Sequence, residues 1–175
     1  GKLTEASPEI MTSPLDFMNS KHKCEIYCDV MKLTMTSMFL VGIILPFNLM
    51  VQVPLVSTSM DQLRIAFLLI MGFITAYNHE LKVVHFDLES GIRPLEPFFL
   101  QRGILLELSN AKTHISRVER AIRTLKERLR TTIQNAAIAT PRRFLRFLVE
   151  STVRVINYQV DERTGSCPST LFGLS

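Results

Sequence analysis

The chain has no tryptophan, 3 cysteines and 7 glycines in 175 residues, and it carries no motif that fixes a chemistry. It holds no phosphate loop, no dinucleotide glycine fingerprint and no nucleophile elbow. Cys24, Cys28 and Cys167 form an odd set without framework spacing. That excludes a disulfide-stapled secreted domain and implies reduced thiols in an intracellular setting. His22, Cys24 and Cys28 fit no standard zinc spacing and lack a fourth ligand, so the cysteines read as buried thiols. Residues 1–23 mix Lys2, Glu5, Glu9, Asp16 and Lys21 with no apolar run, so no signal peptide is expected there. Glu5 stands where a myristoylation signal needs Ser or Thr. Charge is also thin, at 21 %. What is present is apolar: mean hydropathy is +0.21, high for a soluble protein. The 8 methionines and 11 phenylalanines read as core padding. The length suits one domain with a sizeable core.

Leu33 to Met60 is free of charged side chains, which is long enough to suggest a membrane span. Pro46, Asn48, Gln52 and Pro54 interrupt it, however, and Phe47, Leu49, Val51 and Val53 alternate with Asn48, Met50 and Gln52, which is strand periodicity. Cys24, Ile26, Cys28 and Val30 alternate likewise with Glu25, Tyr27 and Asp29, giving an earlier half-buried strand; Met35–Val41 extends it or pairs with the next. On one strand Cys24 and Cys28 stand roughly 13 Å apart and cannot bond. Ser59 and Gln62 form a capping box for a helix over about 60–78, with Leu63, Ala66, Phe67, Ile70, Ile74 and Tyr77 on one face. Strands are expected at Val84–Leu88 and at Phe98–Leu108, the latter with a possible bulge at Gly103.

Positive charge is confined to one segment. Over 111–163 there are 12 Lys/Arg against 5 Asp/Glu, while the rest of the chain is net acidic. Ser109-Asn110 is expected to cap a first basic helix with Ile115, Val118, Ile122, Leu125 and Leu129 inward. Thr140-Pro141 then opens a second as N-cap and first turn, with Phe144, Leu145, Leu148, Val149, Thr152 and Ile156 inward. Arg117, Arg120, Arg123, Arg128 and Arg130 lie off the first stripe, and Arg142, Arg143 and Arg146 crowd the start of the second helix against its dipole. Arginine outnumbers lysine 10 to 2 in this segment, which favours bidentate contacts to phosphate or carboxylate. These eight arginines are the expected site for an acidic partner: RNA, nucleocapsid or anionic lipid. Few aromatics sit among them beyond Phe144 and Phe147, so base stacking is not indicated.

No catalytic residue, metal site or cofactor is assigned, and the chain is not expected to be an enzyme. His85 and Asp87 share a strand face and read as solvated polar residues. Glu89 and Glu96 flank a proline-containing turn with nothing to fix their separation. The alternative readings are a small RNA-binding module and a membrane-inserted protein using 33–60.

The order "CEIYCDVMKLTMTS", "STSMDQLRIAFLLIMGFITAY", "LKVVHFDLESG" and "FFLQRGILLELS", followed by C-terminal helices, resembles the matrix proteins of rhabdoviruses, in particular those of plant rhabdoviruses. The resemblance implies an α+β fold: an antiparallel sheet of about four to five strands packed on a central apolar helix and two C-terminal basic helices. It divides the chain into a flexible arm at 1–22, one domain at 23–160 and a loose tail at 161–175. It further implies a structural protein of the virion and the inner membrane face, which self-associates and bridges nucleocapsid to an anionic membrane as a peripheral protein. Phe67, Leu68, Met71 and Phe73 would then serve self-association or lipid contact. The neutral arm departs from the lysine-rich arm of animal rhabdovirus matrix proteins, and the proline-tyrosine budding motif is missing.

Overall fold

Alternation of apolar and polar residues from Cys24 onward is realised as strand β1 (Lys23–Lys32), with Cys24, Ile26 and Cys28 buried and Asp29 exposed. The structure is a computed structural model and describes residues 20–109, 116–135 and 141–174. The arm expected at 1–22 therefore falls almost wholly outside the described residues, as do Asn110, Ile115 and Thr140.

A turn carrying the fully exposed Met35 leads into β2 (Met38–Leu45), which runs antiparallel to β1. β3 (Leu49–Leu55) returns antiparallel along β2. The uncharged 33–60 stretch is thus a turn and a β-hairpin, and among the described residues no helix is long and apolar enough to cross a membrane. Helix α1 (Met60–Ala76) follows. The Ser59 hydroxyl accepts from the Gln62 amide, while the Gln62 side chain accepts from the Val56 N–H, so only half of the expected capping box forms. Leu63, Ala66, Phe67, Ile70 and Ile74 face inward, and Asn78, in the left-handed conformation, ends the helix.

After α1 the chain enters β4 (Glu80–Asp87), parallel to β1, and later β5 (Leu105–Ser109), parallel to β4. The sheet order is β3-β2-β1-β4-β5. The fold is therefore α+β with a five-stranded sheet, but the sheet is mixed, not antiparallel. The strand expected at Phe98–Leu108 is mostly something else. Glu96–Leu100 is a short helix, α2, that buries Phe98 and Phe99, and Gly103 turns the chain at φ 72° into β5 without forming a bulge.

The remaining helices are α3 (Ser116–Gln134), α4 (Arg142–Asn157) and α5 (Pro168–Phe172). Two apolar clusters lie on opposite faces of the sheet, as strand alternation requires. One joins Ile26, Cys28, Leu40, Val84 and Phe86 to Phe67 and Ile70 of α1 and to Phe172 of α5. The other joins Met31, Val41 and Ile43 to Ile122, Leu125 and Leu129 of α3 and to Val149 and Val153 of α4.

Three expectations are corrected by this packing. Pro141 is the N-cap of α4, not its first helical residue. Phe144 is exposed, and Val153 and Asn157 are buried in place of the expected Phe144 and Thr152. The tail at 161–174 is folded: Asp161 bridges to Ser166, and Phe172 is buried against Phe47 and Phe73.

Candidate active site

Parallel pairing brings the carboxyl ends of β1 and β4 side by side. Tyr27 lies opposite His85, the last pair that joins the two strands, and Asp29 and Asp87 each lie two residues beyond it. Neighbouring strands run about 4.8 Å apart. Alternation then fixes the face. Tyr27 and Met31 belong to the cluster beneath α3 and α4, so Asp29 points to that side, and Asp87 shares the side of His85.

The two carboxylates are held by backbone. Asp29 accepts from the Val30 N–H at 2.8 Å. Asp87 is half-buried and accepts from the Glu89 N–H at 3.1 Å, capping the 3-10 turn Leu88–Ser90 that Gly91 closes at φ 73°. Behind Asp29, burial pushes the Cys28 thiol far up, and the Asp29 charge adds to the effect. Burial likewise pushes Cys24 up to about 11. Both thiols are inert core groups, as read from the sequence.

His85 is not a solvated residue. It is 9 % exposed, stacks on Tyr27 at 4.0 Å, and places Nε2 2.9 Å from Glu25 and Nδ1 3.5 Å from Glu107. It thereby ties β1, β4 and β5 together one alternation before Asp87. Glu119 is exposed in the first turn of α3, three residues before the buried Ile122 and so on the adjoining strip of the helix. That helix covers the sheet face on which Asp29 and Asp87 stand.

Among the described residues no group of three or more His, Cys, Asp or Glu is close enough to hold a metal ion by itself. Two carboxylates are enough for a hard divalent cation that keeps its waters and takes substrate phosphates as further ligands. Asp29 and Asp87 fit such an ion in donor chemistry and in register.

The expected arginine site spans α3 and α4. Arg120, Arg123 and Arg130 are exposed, Arg128 is half-buried, and Arg142, Arg143 and Arg146 are exposed; the Arg117 side chain lies outside what is described. Among the described residues none of these seven forms an ion pair. Of the proposed contact residues on α1, Phe67 is fully buried in the core and cannot present a surface; Leu68 is exposed, and Met71 and Phe73 are half-buried.

No protein-family model matches the sequence, and no curated protein matches it. Among solved structures the chain is similar to the catalytic core domain of BIV integrase, a retroviral integrase, with a TM-score of 0.61 and 15 % identity over 85 % of this chain and 92 % of that one. At that identity the likeness shows the fold.

This finding overturns the resemblance to rhabdovirus matrix proteins and, with it, the self-assembling matrix role bridging nucleocapsid and envelope. The matrix reading rested on the order of strands and helices, which does not distinguish an antiparallel sheet from one in which β1, β4 and β5 run parallel. From the sequence Asp87 reads as a solvated polar residue beside His85 and Asp29 as the polar side of a half-buried strand, so neither suggests a shared site. The only local signal for them is an aspartate near the end of each of two apolar-alternating runs, "CEIYCDV" and "KVVHFD".

Proposed function

We propose that this chain is the catalytic core of a metal-dependent nucleic-acid phosphoryl-transfer enzyme of the integrase type. The observation that carries the proposal is that Asp29 and Asp87 each follow the paired residues Tyr27 and His85 by two, on one face and near the carboxyl ends of adjacent parallel strands, where ligands of such sheets bind. A sheet with the apolar helix α1 on one face and the basic helices α3 and α4 on the other is the frame for that site. The likeness to an integrase catalytic core supports the class. A fold alone carries no chemistry, so the argument rests on the carboxylates. This proposal takes the place of the non-enzymatic expectation, on which the fold is silent.

In this reading Asp29 and Asp87 would hold a divalent cation through their carboxylates, and Glu119 is the next carboxylate on that side. When bound, the cation supplies Lewis-acid stabilisation of the phosphoryl oxygens. Arg120, Arg123 and the arginines of α4 neutralise backbone phosphates and set the strand's position, a contact that salt weakens. An entering oxygen, from water or a terminal sugar hydroxyl, attacks phosphorus as the opposite P–O bond breaks; the entering group gives its proton to solvent and the displaced oxygen takes one back. His85, held between Glu25 and Glu107, fixes the strands that carry the aspartates.

The test is cleavage or joining of end-labelled DNA by the full chain with Mg²⁺ or Mn²⁺, alongside calorimetric titration of Mn²⁺. Asp29→Asn and Asp87→Asn should each lower the rate by about 10²-fold or more while weakening Mn²⁺ binding, with circular dichroism unchanged. Folded wild-type protein that binds no Mn²⁺ and leaves DNA intact would refute the proposal.

A further inference from the structure

Helix α4 carries two exposed aromatic rings that the carboxylate site does not use. Phe144 and Phe147 are 49 % and 62 % exposed, although the helix already buries Leu145, Val149 and Val153 in the core. Their rings stand 6.2 Å apart, tilted by 35°, on one side of the helix. Arg142, Arg143 and Arg146 interleave them, all exposed and, among the described residues, without an ion pair. The first turn of α4 contains no acidic residue. Cations at a helix N-terminus oppose the dipole, so this arrangement costs local stability unless an anion is drawn to it.

We propose that this patch binds unpaired nucleotides of a nucleic acid. The proposal rests on the reading of the chain as a nucleic-acid enzyme and names the form of substrate that the enzyme holds: a strand with bases free to stack. Exposed ring faces can receive bases only where these are not already stacked in a duplex, and the three guanidinium groups meet the flanking phosphates. Two other occupants fit less well. A second copy docked through this patch would set like charges against each other. A membrane would need a broad apolar helix face, and here that face is spent on the core, leaving the two rings and Val155 exposed. The sequence gives no indication of stacking because few aromatics sit among the arginines beyond Phe144 and Phe147; those two rings are both exposed.

The test is fluorescence anisotropy of the full chain in EDTA, with a labelled single-stranded oligonucleotide, the blunt duplex of the same sequence, and vesicles of phosphatidylcholine with phosphatidylserine. Wild type should prefer the single strand. Phe144→Ala with Phe147→Ala should weaken single-strand binding about tenfold or more while changing duplex binding by less than about twofold. Phe144→Leu with Phe147→Leu keeps the apolar bulk and loses the flat ring, so it should fall with the alanine pair. Equal affinity for both nucleic acids, or a leucine pair that binds as wild type does, would overturn the proposal. Loss confined to vesicle binding would overturn it too and assign the patch to lipid. The assay contains no divalent cation and is read on Phe144 and Phe147, whereas the carboxylate site is read by Mn²⁺ titration, so failure of one is distinguishable from failure of the other.

Discussion

Asn157 is buried at the end of α4 and reaches the backbone of β3 107 residues away in sequence. Its Nδ2 donates to the Met50 carbonyl at 2.7 Å, and its Oδ1 accepts from the Met50 N–H at 2.8 Å. Met50 is paired with Ile43 of β2 on its inner side. An antiparallel residue sends both backbone groups the same way, and on this edge strand they point outward. Asn157 therefore stands in for the missing neighbouring strand and covers the edge. Asn157→Ala leaves a buried donor and a buried acceptor unpaired, at about 1–3 kcal/mol each, so the expected loss is about 2–6 kcal/mol. For a domain of this size that lowers Tm by about 4–24 °C. Asn157→Leu restores volume without the hydrogen bonds and should lose a similar amount. Asn157→Asp keeps one acceptor but turns an anionic oxygen toward the Met50 carbonyl, and should be at least as destabilising as alanine. Urea unfolding should show a lower midpoint at unchanged slope, and hydrogen exchange should report faster exchange at the Met50 amide. A loss below about 0.5 kcal/mol for both Ala and Leu, with that amide still protected, would refute the edge-cap argument.

Gly42 of β2 sits opposite Cys28 of β1, and an added Cβ would lie 2.7 Å and 2.9 Å from the Ile26 side chain and 3.3 Å from the Cys28 sulfur. Ile26 is fully buried, so it has little room to yield; Gly42→Ala should cost about 1–3 kcal/mol in a thermal melt, and an unchanged melt would show that the core relaxes. His79 links three elements: its Nδ1 accepts from the His22 N–H at 3.2 Å, so its Nε2 carries the proton and donates to the Phe172 carbonyl at 2.8 Å. Burial holds its pKa below the usual 6.5, with the Phe172 carbonyl acting the other way and His22 adding to the lowering. Its neutral form thus contributes stability that is present above pH 6.5 and is lost as pH falls below it. Urea midpoints at pH 7.5 and about pH 5.5 should diverge more for wild type than for His79→Gln; parallel behaviour would rule the histidine out as the cause.

Local patterns were legible where one segment decides its own state. The period of 2 through Cys24–Val30, the Ser59 cap and the stripe Ile122, Leu125, Leu129 all appear where the sequence places them. Misreadings fall where a distant partner decides. Phe98, Phe99 and Leu100 have the composition of a strand, yet Pro97 suits a first helical turn, and burial of the two rings, with Phe99 edge-on to Phe67 at 4.9 Å, stabilises a five-residue helix. Gly165, Pro168 and Ser169 suggest a loose tail, but Phe172 finds a cage of Phe47, Phe73, Tyr77 and His79 from three other places in the chain.

The site shows the same limit most clearly. Asp29 and Asp87 are ordinary aspartates near the ends of ordinary strands, and nothing within ten residues of either marks a function. Their meaning depends on two global choices: that β4 runs parallel to β1, and that it does so in the register Tyr27 to His85. Slipping β4 by one residue would send Asp87 to the α1 side and Phe86 toward α3. The packing makes that slip costly, because Val84 and Phe86 would leave the α1 cluster and His85 would lose Tyr27, Glu25 and Glu107 together. The same buried contacts that look like plain core stability are therefore what put both carboxylates on one face, two residues beyond the Tyr27–His85 pair. Those contacts are the link by which an apolar alternation, legible in the sequence, becomes a candidate cation site, which is not.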